Sequence, residues 1–182
     1  RVAAAGVDGL IVHARKAWLQ GLSPRENREI PPLDYEIVFR LKRRLPHLPI
    51  SINGGIASIE AAQALLGERE GVTLDGVMLG RAAYQSPALL LDVDSAIFGV
   101  EQPAETALDA LRRFRPYVAA RLDEGVPLHA MTRHVLGLFQ ATPGARQFRR
   151  HLSTEGVKKG AGLAVLDAAI EIVGNAAERR AA

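Results

Sequence analysis

The 182-residue chain contains no cysteine. That absence excludes disulfides, thiolate metal sites and a cysteine nucleophile within these residues, so any cysteine chemistry has to be supplied from elsewhere. No run of 18 apolar residues and no charged-then-apolar leader occurs, which excludes a helical membrane span and a signal peptide and sets the expectation of a cytoplasmic protein. Solenoid-type repeats and low-complexity segments are also missing. Aromatic residues are scarce at 5%, with one tryptophan, and a lone Trp18 reads as packing that orders its loop. No metal site is expected.

What is present is enough apolar material, 48% of residues, to bury a core in one domain or in a domain plus a module. The net charge of +3 is small but unevenly placed. Residues 1–100 carry 11 Lys/Arg against 11 Asp/Glu, and residues 101–182 carry 12 against 9. Within the second part, the 29 residues from Val126 to Thr154 hold no acidic side chain, four arginines and three histidines. Anions are the natural partners of such a local field.

"RVAAAGVDG" reads as the last turns of a helix ending in glycine, so the chain is expected to begin in mid-fold. "GLIVHA" has the branched, apolar character of a strand buried on both faces. "PLDYEIVFRLKRRLP" then places Ile37, Val38, Leu41 and Leu45 at helical spacing, with the basic residues opposite. The pattern recurs: "LPISINGG" is a strand, "SIEAAQALL" a helix capped by Ser58, and "LDGVMLGRAA" a third strand before "SPALLLDV". Three strand–helix units in series predict a parallel sheet. Three parallel strands neither close a barrel nor cover both faces, so roughly half of the fold is expected upstream of Arg1. From Pro103 onward "PAETALDALRRFRPYVAARLDEG", "PLHAMTRHVLGLFQA", "GARQFRRHLS" and "LAVLDAAIEIVGNAAERR" read as helices between Gly/Pro breaks, an all-helical module. The expected domains are 1–100 and 101–182, with the boundary near Phe98 to Pro103.

"SINGGI" puts Asn53, Gly54 and Gly55 at one strand end, and "MLGRAAY" puts Gly80 and Arg81 at the next. Backbone N–H groups bared by glycine converge well on a phosphate, and in eight-stranded α/β barrels a phosphate site commonly follows the last two strands. An NGG is equally an ordinary tight turn. The two strand ends together point to a phosphate-bearing ligand, and His13, closing a third, points into the same mouth. Arg25 and Arg28 lie in "SPRENRE", where Glu26 and Glu29 could neutralise them. Arg146, Arg149 and Arg150, at i, i+3 and i+4, share a helix face without acidic partners and suit phosphates.

"VHARKAWLQGLSPRENREIPPLDY", "SINGGI", "DGVMLGRAAYQSP" and "RHVLGLFQATPGARQFRRHLS" resemble the tRNA-dihydrouridine synthases, bacterial A-type, over Asp8 to about Leu166. The resemblance implies the C-terminal part of a flavin-binding (β/α)8 TIM barrel followed by a helical tRNA-binding domain. It implies FMN contacts at His13, Asn53, Gly54, Gly55, Gly80 and Arg81, and tRNA contacts at Arg25, Arg28, Arg146 and Arg149. The implied reaction reduces the 5,6 double bond of a D-loop uridine, at positions 20 and 20a for the A-type, with NADPH as reductant of FMN. The family's proton-donating cysteine and flavin-touching lysine lie upstream and are not in this chain, so no catalytic residue is assigned here and the 182 residues alone are expected to be inactive. "LLGEREGVTLDG" is longer than the family pattern, a surface extension. Two other functions share parts of the pattern: a flavin oxidoreductase of the same barrel type acting on a small molecule, which needs no basic helical tail, and a non-catalytic RNA-binding module, which leaves the glycine loops idle.

Overall fold

Branched residues at Leu10–His13, Ile50–Asn53 and Gly76–Met78 form three strands, β1, β2 and β3, lying in that order in one sheet. Both pairs are parallel, and the register sets His13 beside Asn53 and Asn53 beside Met78. Parallel neighbours need crossovers, and α1 (Glu36–Arg44) and α2 (Ile59–Leu66) supply them. The computed structural model describes residues 2–181; Arg1 and Ala182, at the outer limits of the expected domains, lie outside the described residues.

Alternation along a strand sends successive side chains to opposite faces. Leu10, Val12, Ile50, Ile52 and Val77 join one core with Val38, Phe39, Ala62 and Leu65 of the helices. The opposite face carries Ile11 and Met78, 66% and 42% exposed. Among the described residues the helices pack on one face of the sheet only. In α1 the buried pair is Val38 and Phe39, with Ile37 only half-buried, because residues adjacent in sequence share the inner arc of so short a helix. Ser58 caps α2 as expected, its Oγ accepting from the Ala61 N–H at 3.2 Å. The surface extension folds as a tight turn in which Arg69 pairs with Val72 and lies over the Phe39 ring, 5.0 Å from its centroid.

The chain divides into a unit ending at Ala82 and a unit beginning at Ala83. This places the boundary earlier than the expected Phe98 to Pro103, and side chains give the reason. After α3 (Arg81–Gln85), the 3₁₀ segment Pro87–Asp92 and α4 (Val93–Phe98) belong with the helices. Ala88 packs against the helical core, and Pro87, Leu90 and Leu91 line an apolar cleft with Leu111, Phe114 and Leu138. Gly137 has no Cβ where the Gln85 carbonyl approaches; a methyl built there would collide with it.

The remaining helices are α5 (Ala107–Asp123), α6 (Leu128–Thr132), α7 (Ala145–Glu155) and α8 (Leu163–Ala181). "PLHAMTRHVLGLFQA" does not continue as one helix: α6 stops at Thr132 and the chain turns on to α7, with Ala141 at φ +63°. Leu111, Val118, Leu128, Phe148, Leu152 and Leu166 form the core. Arg115 ties α5 to α8 through two hydrogen bonds to Asp167, 2.6 and 3.0 Å, which hold the Asp167 carboxyl below its ordinary range and raise the guanidinium of Arg115. No helix among the described residues is long and apolar enough to cross a membrane.

Candidate functional site

The C-terminal ends of the three strands are joined by side chains. His13 Nδ1 lies 2.7 Å from Asn53 Oδ1, and Asn53 Nδ2 donates to the Met78 carbonyl at 2.8 Å. Strand register places these residues in one row, so the relay spans the sheet from β1 to β3. His13 Nε2 is buried and has no hydrogen-bond partner among the described residues. A buried polar atom left unpaired is uncommon and costs about 1–3 kcal/mol; Arg15 Nε, just beyond the same strand end, is also buried without a partner among the described residues.

The two glycine loops differ. Gly54 and Gly55 have φ of +123° and +68°, conformations that favour glycine by backbone sterics alone. A Cβ on Gly54 would stand 2.9 Å from Leu33 Cδ2 and 3.3 Å from His13 Cε1, and one on Gly55 would stand 2.6 Å from Leu33 Cδ1. The NGG is thus a tight turn tucked under Leu33, and Tyr35 adds a hydrogen bond from its hydroxyl to the Gly54 carbonyl at 2.9 Å. Gly80 has no positive φ and nothing within 4 Å of where its Cβ would lie. Nothing among the described residues requires glycine there, so the backbone at Gly80 is the more open of the pair. Arg81 follows it at the head of a five-residue helix, too short to add much dipole.

The loop from Ala14 to Leu33 is closed at its base, where Arg15 pairs with Leu33 and Asp34 N–H donates to Ala14 O at 2.8 Å. A guanidinium nitrogen of Arg15 also donates to the Pro31 carbonyl. Trp18 orders the loop through its backbone rather than its ring: its N–H and carbonyl are both held by the Asn27 amide, at 2.7 and 2.9 Å, while the side chain is 49% exposed. Glu26 accepts from the Ser23 N–H at 2.7 Å, and its hydrogen bonds with Ser23 lower its carboxyl. Glu29 lies between two guanidiniums, 2.7 Å from Arg81 Nη1 and 3.8 Å from Arg25 Nε. One carboxylate between two cations leaves a positive surplus. Arg28 is exposed and has no ion pair among the described residues.

His13, Asn53, Gly54, Gly55, Gly80, Arg81, Arg25 and Arg28 therefore all lie in the unit that ends at Ala82. Arg146 and Arg149 lie in the other, on α7, whose buried face is Ala145, Phe148 and Leu152. Arg146, Arg149 and Arg150 are exposed and make no ion pair among the described residues. Arg146 also lines an open groove of about 570 Å³ with Thr142, Gly144, Gln147 and Arg179. Leu33 and Tyr35 were not singled out by sequence reasoning, and Glu29, expected to neutralise Arg25 or Arg28, reaches Arg25 and also Arg81. Glu29 carried a usable signal as an acid inside a basic loop, but Leu33 and Tyr35 carried none beyond lying in the same run.

The family model described as dihydrouridine synthase matches residues 1–174. The chain is 52% identical over 165 residues to the tRNA-dihydrouridine(20/20a) synthase of Vibrio cholerae serotype O1, covering 91% of this chain and 49% of that protein. Its counterpart in Pasteurella multocida is 51% identical over 173 residues, covering 95% and 51%. The Escherichia coli K12 protein of the same description is 53% identical over 163 residues, covering 90% and 46%. The chain spans about half the length of the curated relatives it matches.

Proposed function

Because this chain belongs to the dihydrouridine synthase family, we propose that the protein it forms reduces uridine to 5,6-dihydrouridine in the D-loop of tRNA, with positions 20 and 20a as targets. On this reading β1, β2 and β3 are consecutive strands of a (β/α)8 barrel whose inner face includes Ile11 and Met78, and the unit from Ala83 binds tRNA. The observation that carries the proposal is the row of strand ends. It offers a buried, unpartnered ring nitrogen, His13 Nε2, and a glycine, Gly80, with nothing among the described residues within 4 Å of where its Cβ would lie.

These residues fit FMN. The open amide surface at Gly80, with Arg81 and Arg25 exceeding Glu29 in charge, suits the phosphate, and His13 Nε2 would be the group left to hold the remainder of the cofactor. Bound there, FMN reduced by NADPH would supply the hydride for the uridine double bond. The chain's own residues hold and orient. The accompanying proton is not assigned to this chain, which contains no cysteine. A uridine stacked in folded RNA cannot reach such a site, so the base has to be drawn out of its stack while the tRNA is held. The unpaired Arg146 and Arg149 on α7 and the exposed Arg28 supply cations for holding it.

The test is Gly80→Val in the full-length protein. Nothing among the described residues opposes the new side chain, so the fold should persist while flavin absorbance per protein falls. A folded variant with undiminished flavin content would remove the phosphate from this loop. Loss of dihydrouridine formation on unmodified tRNA, with NADPH supplied, completes the assay.

A further inference from the structure

The relay across the strand ends determines which ring nitrogen of His13 carries its proton. The Met78 carbonyl can only accept, so the Asn53 amide must turn its NH₂ toward it, as the 2.8 Å contact shows. That leaves Asn53 Oδ1, which also can only accept, facing His13 Nδ1 at 2.7 Å. The nitrogen opposite it must therefore be N–H. In the neutral ring the second nitrogen, Nε2, then carries a lone pair, and it is this atom that is buried without a partner.

We propose that Asn53 is a positioning residue: it locks His13 in the Nδ1–H tautomer, so that Nε2 accepts a hydrogen bond from a hydroxyl or ring N–H of the bound ligand. This rests on the flavin reading for the identity of that ligand, and it reassigns Asn53, whose amide is already spent on His13 and Met78, from a direct side-chain cofactor contact to one acting through histidine. It also sorts the site by chemistry. A dianionic phosphate carries no proton to give to a lone pair, so the anionic end belongs at Gly80, away from Nε2. A flavin nucleotide carries both kinds of group, with ribityl hydroxyls and a ring N–H as donors and the phosphate as acceptor.

The experiment is long-range proton–nitrogen NMR on the full-length protein with ¹⁵N-labelled histidine, before and after FMN is added. His13 should show Nδ1 protonated and Nε2 unprotonated in the flavin-free protein, and the Nε2 resonance should move when FMN binds. Asn53→Ala should release the ring toward the Nε2–H form that histidine prefers in water and weaken FMN binding on the order of tenfold. Asn53→Asp forfeits the bond to the Met78 carbonyl but still accepts from Nδ1–H, so at a pH where the ring is neutral it should return the proton to Nδ1, and it keeps the test open if the alanine variant folds poorly. An Nε2–H ring in the wild-type protein would overturn the inference whether or not FMN binds. An Nδ1–H ring in a protein that takes up no FMN would uphold the relay and remove the flavin reading instead.

Discussion

Single residues at the strand ends separate demands of the fold from demands of a ligand. Gly54 is held at φ +123° with Leu33 Cδ2 2.9 Å from any Cβ, whereas Gly80 has neither constraint. Gly54→Ala should destabilise the protein by about 1–3 kcal/mol, the cost of a strained backbone, while Gly80→Ala should leave urea unfolding within about 0.5 kcal/mol of wild type. Equal losses at the two positions would contradict this division. Asp75 makes a prediction in pH. Its carboxyl accepts from Lys42 Nζ at 2.7 Å and from the Ile50 N–H at 2.7 Å, and these bonds lower it from the ordinary range. The unfolded chain binds a proton more readily, so the contribution is complete above the unfolded value near about 3.9 and is lost as pH falls through the folded one. Partial exposure keeps it small. Urea midpoints between about pH 6 and about pH 3 should therefore fall less steeply for Asp75→Asn than for wild type.

Among the elements, periodicity located the three strands, their crossover helices and the long α5 and α8, because strand alternation and helical spacing are local signals. It did not stop α6 at Thr132, since leucines and valines continue through "VLGLF", a stretch that turns instead, with the Gln85 carbonyl against Gly137. The same approach explains why residues 83–100 join the helical unit. Gly137→Ala should push the Gln85–Pro87 backbone away and cost about 1–3 kcal/mol, as overpacking does. Hydrogen exchange should quicken first across Pro87–Phe98, and unchanged protection there would show that this segment is anchored by its leucines alone.

For the whole molecule the proposal divides labour between the strand ends and the helical unit. Arg146→Ala with Arg149→Ala in the full-length protein should weaken tRNA binding, and each phosphate that the variant no longer neutralises should reduce the slope of log affinity against log salt by roughly 0.7 to 0.9. Reduction of the bound flavin by NADPH should proceed at the wild-type rate, because α7 belongs to the other unit. Wild-type tRNA affinity at every salt concentration would make this face ordinary solvated surface. The 182 residues alone, given FMN, NADPH and unmodified tRNA, are expected to form no dihydrouridine. They lack a cysteine and leave Ile11 and Met78 exposed on the sheet. Turnover by this chain would show that the proton donor and a sufficient flavin seat lie within it.

The order of strands and helices, the Ser58 cap and the acid-free arginine face were legible in the chain because each depends on residues within a few positions of one another, and the parallel pairing followed from strands alternating with helices. The gathering of His13, Asn53 and Gly80 at one edge was legible too, since parallel strands in series must end on the same side. What those residues do to each other was decided only in three dimensions. His13 meets Asn53 across 40 residues and Arg81 meets Glu29 across 52, while Leu33 covers one glycine turn and leaves Gly80 bare. No local pattern records such meetings. They follow from strand register and loop closure, which turn distant positions into neighbours and settle which hydrogen-bonding atoms remain unpaired.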